Sequence, residues 1–148
     1  MRGFFEIGIL HPQHSENIGT LWRSAYQLGA AGIFTIGGKI KMQHSDTYKS
    51  WRHIPLRTYP TLQAFLEALP YSTQLVGVEF PGVPLAEFEH PQRAIYLLGS
   101  ENNGLSKYAL EACVRVAELP AVRQSSYNVA VAGSLVMYDR FCKNGGEP

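Results

Sequence analysis

Hydrophobic and polar positions alternate between two rhythms along this chain. Short apolar runs at Phe4 to Leu10, Ile33 to Ile36, Leu56 to Tyr59, Gln74 to Phe80, Ala94 to Leu98 and Val114 to Leu119 read as strands. Between them, apolar residues return every third or fourth position. Ile18, Leu21, Trp22, Ala25 and Leu28 make one face of a helix capped by Ser15 or Asn17 and stopped at Gly29. Leu62, Phe65, Leu66 and Leu69 make another, capped by Thr61 and closed by Pro70. Ser106 to Cys113 and Asn128 to Phe141 predict two more. Strands alternating with helices predict an α/β domain, its mostly parallel sheet covered by helices on both faces. Pro81-Gly82-Val83-Pro84 reads as a turn-rich loop. Gly38 to Pro55 has no clear period and reads as a long loop with a helical turn near Ser45.

The last helix breaks the usual one-sided pattern. Val129, Ala130, Val131, Ala132, Leu135, Val136, Met137 and Tyr138 cover nearly its whole circumference. Such a helix is buried on more than one side, and in a domain this small the second side points to another copy of the chain. A homodimer is the expectation.

Composition narrows the class. The 148 residues fit one domain, expected over 1–143 with a frayed tail at 144–148. At 45% hydrophobic and 17% charged the chain is globular, and its apolar runs are too short to cross a membrane. The start lacks a cleavable signal pattern, and Cys113 and Cys142 make neither a disulfide framework nor a zinc site. A cytoplasmic protein with reduced thiols is expected. The five histidines lack metal-ligand spacing, so no metal is expected. The net charge of +1 is silent about partners, but its distribution is not. Lys39, Lys41, Lys49, Arg52 and Arg57 are five of the thirteen basic residues, with Tyr48 and Trp51 interleaved and only Asp46 opposing. This stretch reads either as an RNA-contacting patch, cations tracking phosphates and rings stacking on bases, or as a solvated loop.

The chemistry gathers at element ends. Ala94 to Leu98 is a buried strand that stops at Gly99 and turns through Ser100-Glu101-Asn102-Asn103-Gly104. Two glycines around one carboxylate let backbone approach a ligand, and ligands bind beyond the carboxyl ends of such strands. Asn17 and Arg23 lie on the first helix and its entry, Ser126 and Asn128 at the start of the last. Read singly, Asn17, Ser126 and Asn128 are helix caps, Glu101 a salt-bridge partner and Arg23 a surface charge. No Walker loop, dinucleotide fingerprint or nucleophile elbow is present.

In order, three segments resemble one family. NIGTLWRSAYQLGA at Asn17 to Ala30, LLGSENNGLS at Leu97 to Ser106 and ELPAVRQSSYNVAVAGSLVMYD at Glu118 to Asp139 look like the three motifs of the SpoU-type RNA 2'-O-ribose methyltransferases of the SPOUT class. The resemblance spans nearly the whole chain and is closest to the minimal single-domain members. The departures are a short segment between Pro120 and Ser126 and Tyr127 in place of the usual Leu or Met.

The resemblance implies a C-terminal trefoil knot and S-adenosylmethionine as cofactor, held by three loops. Carried over by position, Val78, Gly82, Gly99, Glu101, Gly104, Leu119, Ser126 and Asn128 bind it. Arg23 is the implied catalytic residue, supported by Asn17, Glu101, Ser126 and Asn128. The implied substrate is a ribose 2'-OH in RNA, tRNA favoured and rRNA possible. Arg23, Lys39, Lys41, Lys49, Arg52 and Arg57 are the candidate RNA contacts, and a dimer is the implied assembly. The rival readings are a non-catalytic RNA-binding relative, a relative that methylates a base nitrogen, and a doubly wound domain for another nucleotide or small molecule.

Overall fold

A computed structural model describes residues 3–38 and 53–148. The basic residues Lys39, Lys41, Lys49 and Arg52, and the helical turn expected near Ser45, lie outside them.

Strands β1 (Phe4–Leu10), β2 (Gly32–Ile36), β3 (Leu56–Tyr59), β4 (Gln74–Pro84), β5 (Arg93–Leu98) and β6 (Arg115–Glu118) form one sheet in the order β3-β2-β1-β5-β4-β6. Every pairing in it is parallel. Helices α1 (Ser15–Gln27), α2 (Leu62–Glu67), α3 (Lys107–Ala112) and α4 (Val129–Lys143) cover it. The strands are apolar on both sides because both sides are covered. In β5, Ala94, Tyr96 and Leu98 join the core that takes in Ile18, Leu21 and Ala25 of α1 and Val136 and Met137 of α4. Ile95 and Leu97 point the other way, into a core with Phe65 of α2 and Ala109 of α3.

The expected caps at Thr61 and Ser106 are present, accepting from the backbone N–H groups of Ala64 and Ala109. Two expectations are corrected. Neither Ser15 nor Asn17 caps α1. His14 stands at that position without a side-chain bond, and Asn17 is buried inside the helix. The segment Pro81 to Pro84 is not a free turn but the end of β4, which slips register against β6 between Val78 and Val83. Two prolines fit there because β5 pairs with β4 only as far as Val78, so this end has a neighbour on one side alone.

Helix α4 packs at Gly133 against α1 and the sheet. A Cβ on Gly133 would stand 2.5 Å from a methyl of Leu21 and 2.9 Å from one of Leu98, so a side chain there would require these two to move. Its other face leaves Val131, Leu135, Tyr138 and Phe141 exposed. The chain then turns through Gly145 and Gly146, and Pro148 ends beside Gly29 and Gly3.

Candidate functional site

The turns that follow β1, β4, β5 and β6 meet at one end of the sheet. Their meeting point is a polar relay of three side chains far apart in sequence. The Asn17 amide donates to Glu101 Oε1 at 2.7 Å, and the Asn128 amide donates to Asn17 Oδ1 at 3.1 Å. Asn128 Oδ1 in turn accepts from the N–H groups of Ala130 and Val131, capping α4. The directions are fixed at both ends. A carboxylate only accepts, and a helix N-terminus offers only donors, so each amide has one workable orientation. Gln13 donates its N–H to Glu101 Oε2, and its own side chain accepts from Asn102. Asn128 is thus a cap, as its type suggests, and also a link to the first helix.

Glu101 belongs to a tight turn. Gly104 N–H donates to Ser100 O, Asn103 N–H donates to Ser100 Oγ, and Ser100 and Gly104 form an isolated bridge. Gly104 has φ +64°, the left-handed region, so its identity answers a backbone need.

Beside the relay lies a cleft of about 460 Å³, large enough for a small-molecule ligand. Val78 to Phe80 line it from β4, Leu98 to Leu105 from β5 and its turn, and Leu119 with Ser125 to Tyr127 from the segment before α4. Of the residues expected to bind a cofactor, Val78, Gly99, Glu101, Gly104, Leu119 and Ser126 line this cleft. Asn128 adjoins it between Tyr127 and Val129. Gly82 faces elsewhere: a Cβ there would meet Val116 O at 2.7 Å, and its N–H donates to Glu118. The short segment before α4 is closed on itself by Tyr127, whose hydroxyl donates to Pro120 O at 2.8 Å.

Arg23 is not among the cleft residues. Six residues beyond Asn17 on one helix, it lies about 9 Å along the axis and about 120° around, and it is exposed. Its helix-surface neighbours Thr20 and Gln27 line a shallow groove between α1 and α4, together with Val131, Leu135 and Tyr138. Arg57 is paired with Glu6, which is largely buried. The chain re-enters the described region against α1. The Trp22 indole donates to Ile54 O, and Tyr26 stacks on His53 with ring centroids 4.7 Å apart.

Sequence reasoning missed Glu79. Its Oε2 accepts the Leu105 N–H at 2.8 Å and its Oε1 the Phe80 N–H at 3.0 Å, inside the cleft lining. A carboxylate at the carboxyl end of a parallel strand was the available signal.

A parallel sheet with a cleft at its carboxyl ends, into which loops converge polar groups, defines a small-molecule-binding α/β domain. The SpoU rRNA Methylase family profile matches residues 5–138, and the chain belongs to that family. Solved structures with the same fold include the SpoU methyltransferase AviRb from Streptomyces viridochromogenes in complex with AdoMet. It is 24% identical, with a TM-score of 0.85 over 100% of this chain and 60% of that one. An AdoMet-bound rRNA methyltransferase from Sinorhizobium meliloti is 22% identical, with a TM-score of 0.85 over 97% of this chain and 57% of that one. A protein solved for insight into the 2-OH methylation of C/U34 on tRNA is 24% identical, with a TM-score of 0.86 over 98% of this chain and 99% of that one. The chain therefore spans about six-tenths of the first two and nearly all of the third. No curated protein sequence matches it. Among the described residues, no helix is long and apolar enough to cross a membrane, and no group of three or more acidic, His or Cys side chains could hold a metal.

Proposed function

We propose that this protein transfers the methyl group of S-adenosylmethionine to a ribose 2'-oxygen of RNA, with tRNA the favoured substrate. The observation that carries the reading is the relay from Glu101 through Asn17 to Asn128, which joins the three motif segments beside the cleft. The residues present suit the cofactor. Apolar Val78, Leu98, Leu119 and Val129 offer surface to a flat base, and the glycine turn leaves backbone groups open to hydrogen-bond it. When bound, it supplies an already activated methyl. The chain must place the 2'-oxygen about 3 Å from that carbon and help its proton to leave. Glu101 and Asn17 hold the floor of the cleft rigid for this alignment.

Arg23 acts by clamping the phosphate next to the target ribose and stabilising negative charge on the oxygen; a guanidinium does not readily act as a base. Its place at the rim of the α1–α4 groove supports a homodimer, in which the exposed Val131, Leu135 and Tyr138 are covered by a second copy. Pairing of two copies would then carry Arg23 towards a cleft. The end of α4 reaches the β4–β5 connection, where Lys143 donates to Leu85 O and Phe88 O, an arrangement that fits the trefoil knot of the resemblance. The tRNA preference draws on the near-complete two-way coverage of the tRNA-related structure. An RNA substrate and two free cysteines fit the cytoplasm.

The test is transfer of labelled methyl from S-adenosylmethionine to bulk RNA from a strain lacking this gene. After digestion, label is expected in a 2'-O-methylnucleoside of the tRNA fraction. Label on a base overturns the ribose assignment, and label in rRNA overturns the substrate class. Arg23→Lys is expected to lower activity at least about tenfold, because an ammonium cannot make the planar two-point clamp. Near-full activity sinks that role.

A further inference from the structure

We infer that Glu79 is a specificity-determining residue that makes the cleft favour the charged methyl donor over its spent, uncharged product. The inference rests on the methyltransferase reading of the same cleft.

Glu79 and Glu101 line the cleft, and no Lys, Arg or His is among its described lining residues. Both carboxylates accept two hydrogen bonds, but Glu101 answers the first helix and its entry, whereas Glu79 is held only by backbone N–H groups of the cleft's own walls. Two backbone N–H groups fix its carboxylate, one from its own strand end and one from Leu105. Gly104 makes room for it: a Cβ there would stand 2.4 Å from Glu79 Oε2. The carboxylate is therefore preorganised, and among the described residues no cationic side chain lines the cleft beside it. A fixed negative charge in a partly enclosed cleft attracts a cation more strongly than it would in bulk water.

The two nucleosides of the reaction differ in this respect. As the 2'-oxygen bonds to the methyl carbon, the sulfur–carbon bond breaks and its electron pair stays on sulfur. The hydroxyl proton passes to solvent, and the sulfonium becomes a neutral thioether. The donor has one more positive charge than the product, while their adenosine and amino-acid parts are the same. A preference set by Glu79 favours exchange of product for fresh donor.

The experiment is calorimetric titration of the full chain with S-adenosylmethionine, S-adenosylhomocysteine and sinefungin, which carries an ammonium near the position of the sulfonium. In the wild type, both cations are expected to bind more tightly than S-adenosylhomocysteine. Glu79→Gln keeps an acceptor for Leu105 but removes the charge. It is expected to weaken the cations by about fivefold to tenfold and leave S-adenosylhomocysteine nearly unchanged. Glu79→Asp is expected to keep part of the preference. Raising salt from about 0.05 M to about 1 M is expected to shrink the wild-type preference, a readout that requires no variant to fold. Equal weakening of all three ligands, an unchanged ratio in Glu79→Gln, or a salt-independent ratio overturns the inference and leaves the methyl-donor reading standing. Failure of the wild type to bind any of them overturns both.

Discussion

Helix α4 is fastened by polar groups at both ends, and the two ends are built on opposite principles. At its start, Asn128 links to Asn17 and Glu101 beside an open cleft. Near its finish, Arg140 is 1% exposed and donates to the carbonyls of Pro91 and Gln92 and to the Tyr96 hydroxyl. His90 joins Tyr96 to Asp139, and Lys143 pairs with the same Asp139. The second cluster is closed: apart from Arg140 Nε, which is buried without a partner, its groups are spent on one another and on the backbone of the connection before β5. The first borders solvent and stands beside the open cleft, whose lining includes Glu101. Closed polar clusters specify one packing arrangement, whereas half-open ones at strand ends are where binding and chemistry can occur.

The comparison breaks first if the closed end proves unimportant for stability. Arg140→Met removes the donors to three acceptors: Pro91 O loses its partner, at about 1–3 kcal/mol, while Gln92 O keeps the Phe4 N–H and the Tyr96 hydroxyl keeps His90, each losing one hydrogen bond worth about 1 kcal/mol, less the desolvation of the guanidinium that is regained. The expected loss is about 3 kcal/mol in denaturant unfolding, with methyl transfer by the folded fraction unchanged. A variant as stable as the wild type would show that the cluster costs as much as it returns.

The open end should respond the other way. Asn17→Ala cuts the relay at its middle, leaving Glu101 held only by the Gln13 N–H and Asn128 only by its cap. Both of those groups border solvent and can hydrate, so the stability cost should stay near 1 kcal/mol. Activity should fall about 10²-fold, the usual consequence of misplacing reacting groups by an ångström. A large stability loss with intact activity would make the relay structural and the contrast between the two ends false.

The sequence made these two ends unequally visible. Apolar rhythm gave the strands and helices within a few residues, because both faces of the sheet are covered and each element carries its own period. Asn17, Glu101 and Asn128 were legible as individuals, but their contact joins positions 84 and 111 residues apart, which no periodicity encodes. Asn17 looked like a cap because amides usually sit at helix starts; only the fold shows that it faces inward to a carboxylate. Glu79 was hidden in a run that reads as strand. Arg140 drew no reading from the sequence, since burial of a guanidinium depends on the carbonyls that the 85–92 connection brings to it. The prolines at 81 and 84 read as a turn because sequence does not reveal that β4 outlasts one of its neighbours.

The smallest expected effect belongs to His90 at the closed end, and it carries a sign. Burial holds the His90 imidazole below its ordinary value of 6.5, against the opposing pull of Asp139. The unfolded chain then binds a proton more readily than the folded one. Stability from this group is complete above about pH 6.5 and declines as pH falls below it, levelling once the folded imidazole also protonates. The slope cannot exceed about 1.4 kcal/mol per pH unit for one group. The measurement is the difference in unfolding free energy between wild type and His90→Gln from about pH 8 to about pH 5, in which other titrations largely cancel. The wild type should lose ground to the variant as the pH drops. A flat difference, or one that grows in favour of the wild type in acid, would mean that Asp139 outweighs burial, and that the closed end holds a charged imidazole where its geometry implies a neutral one.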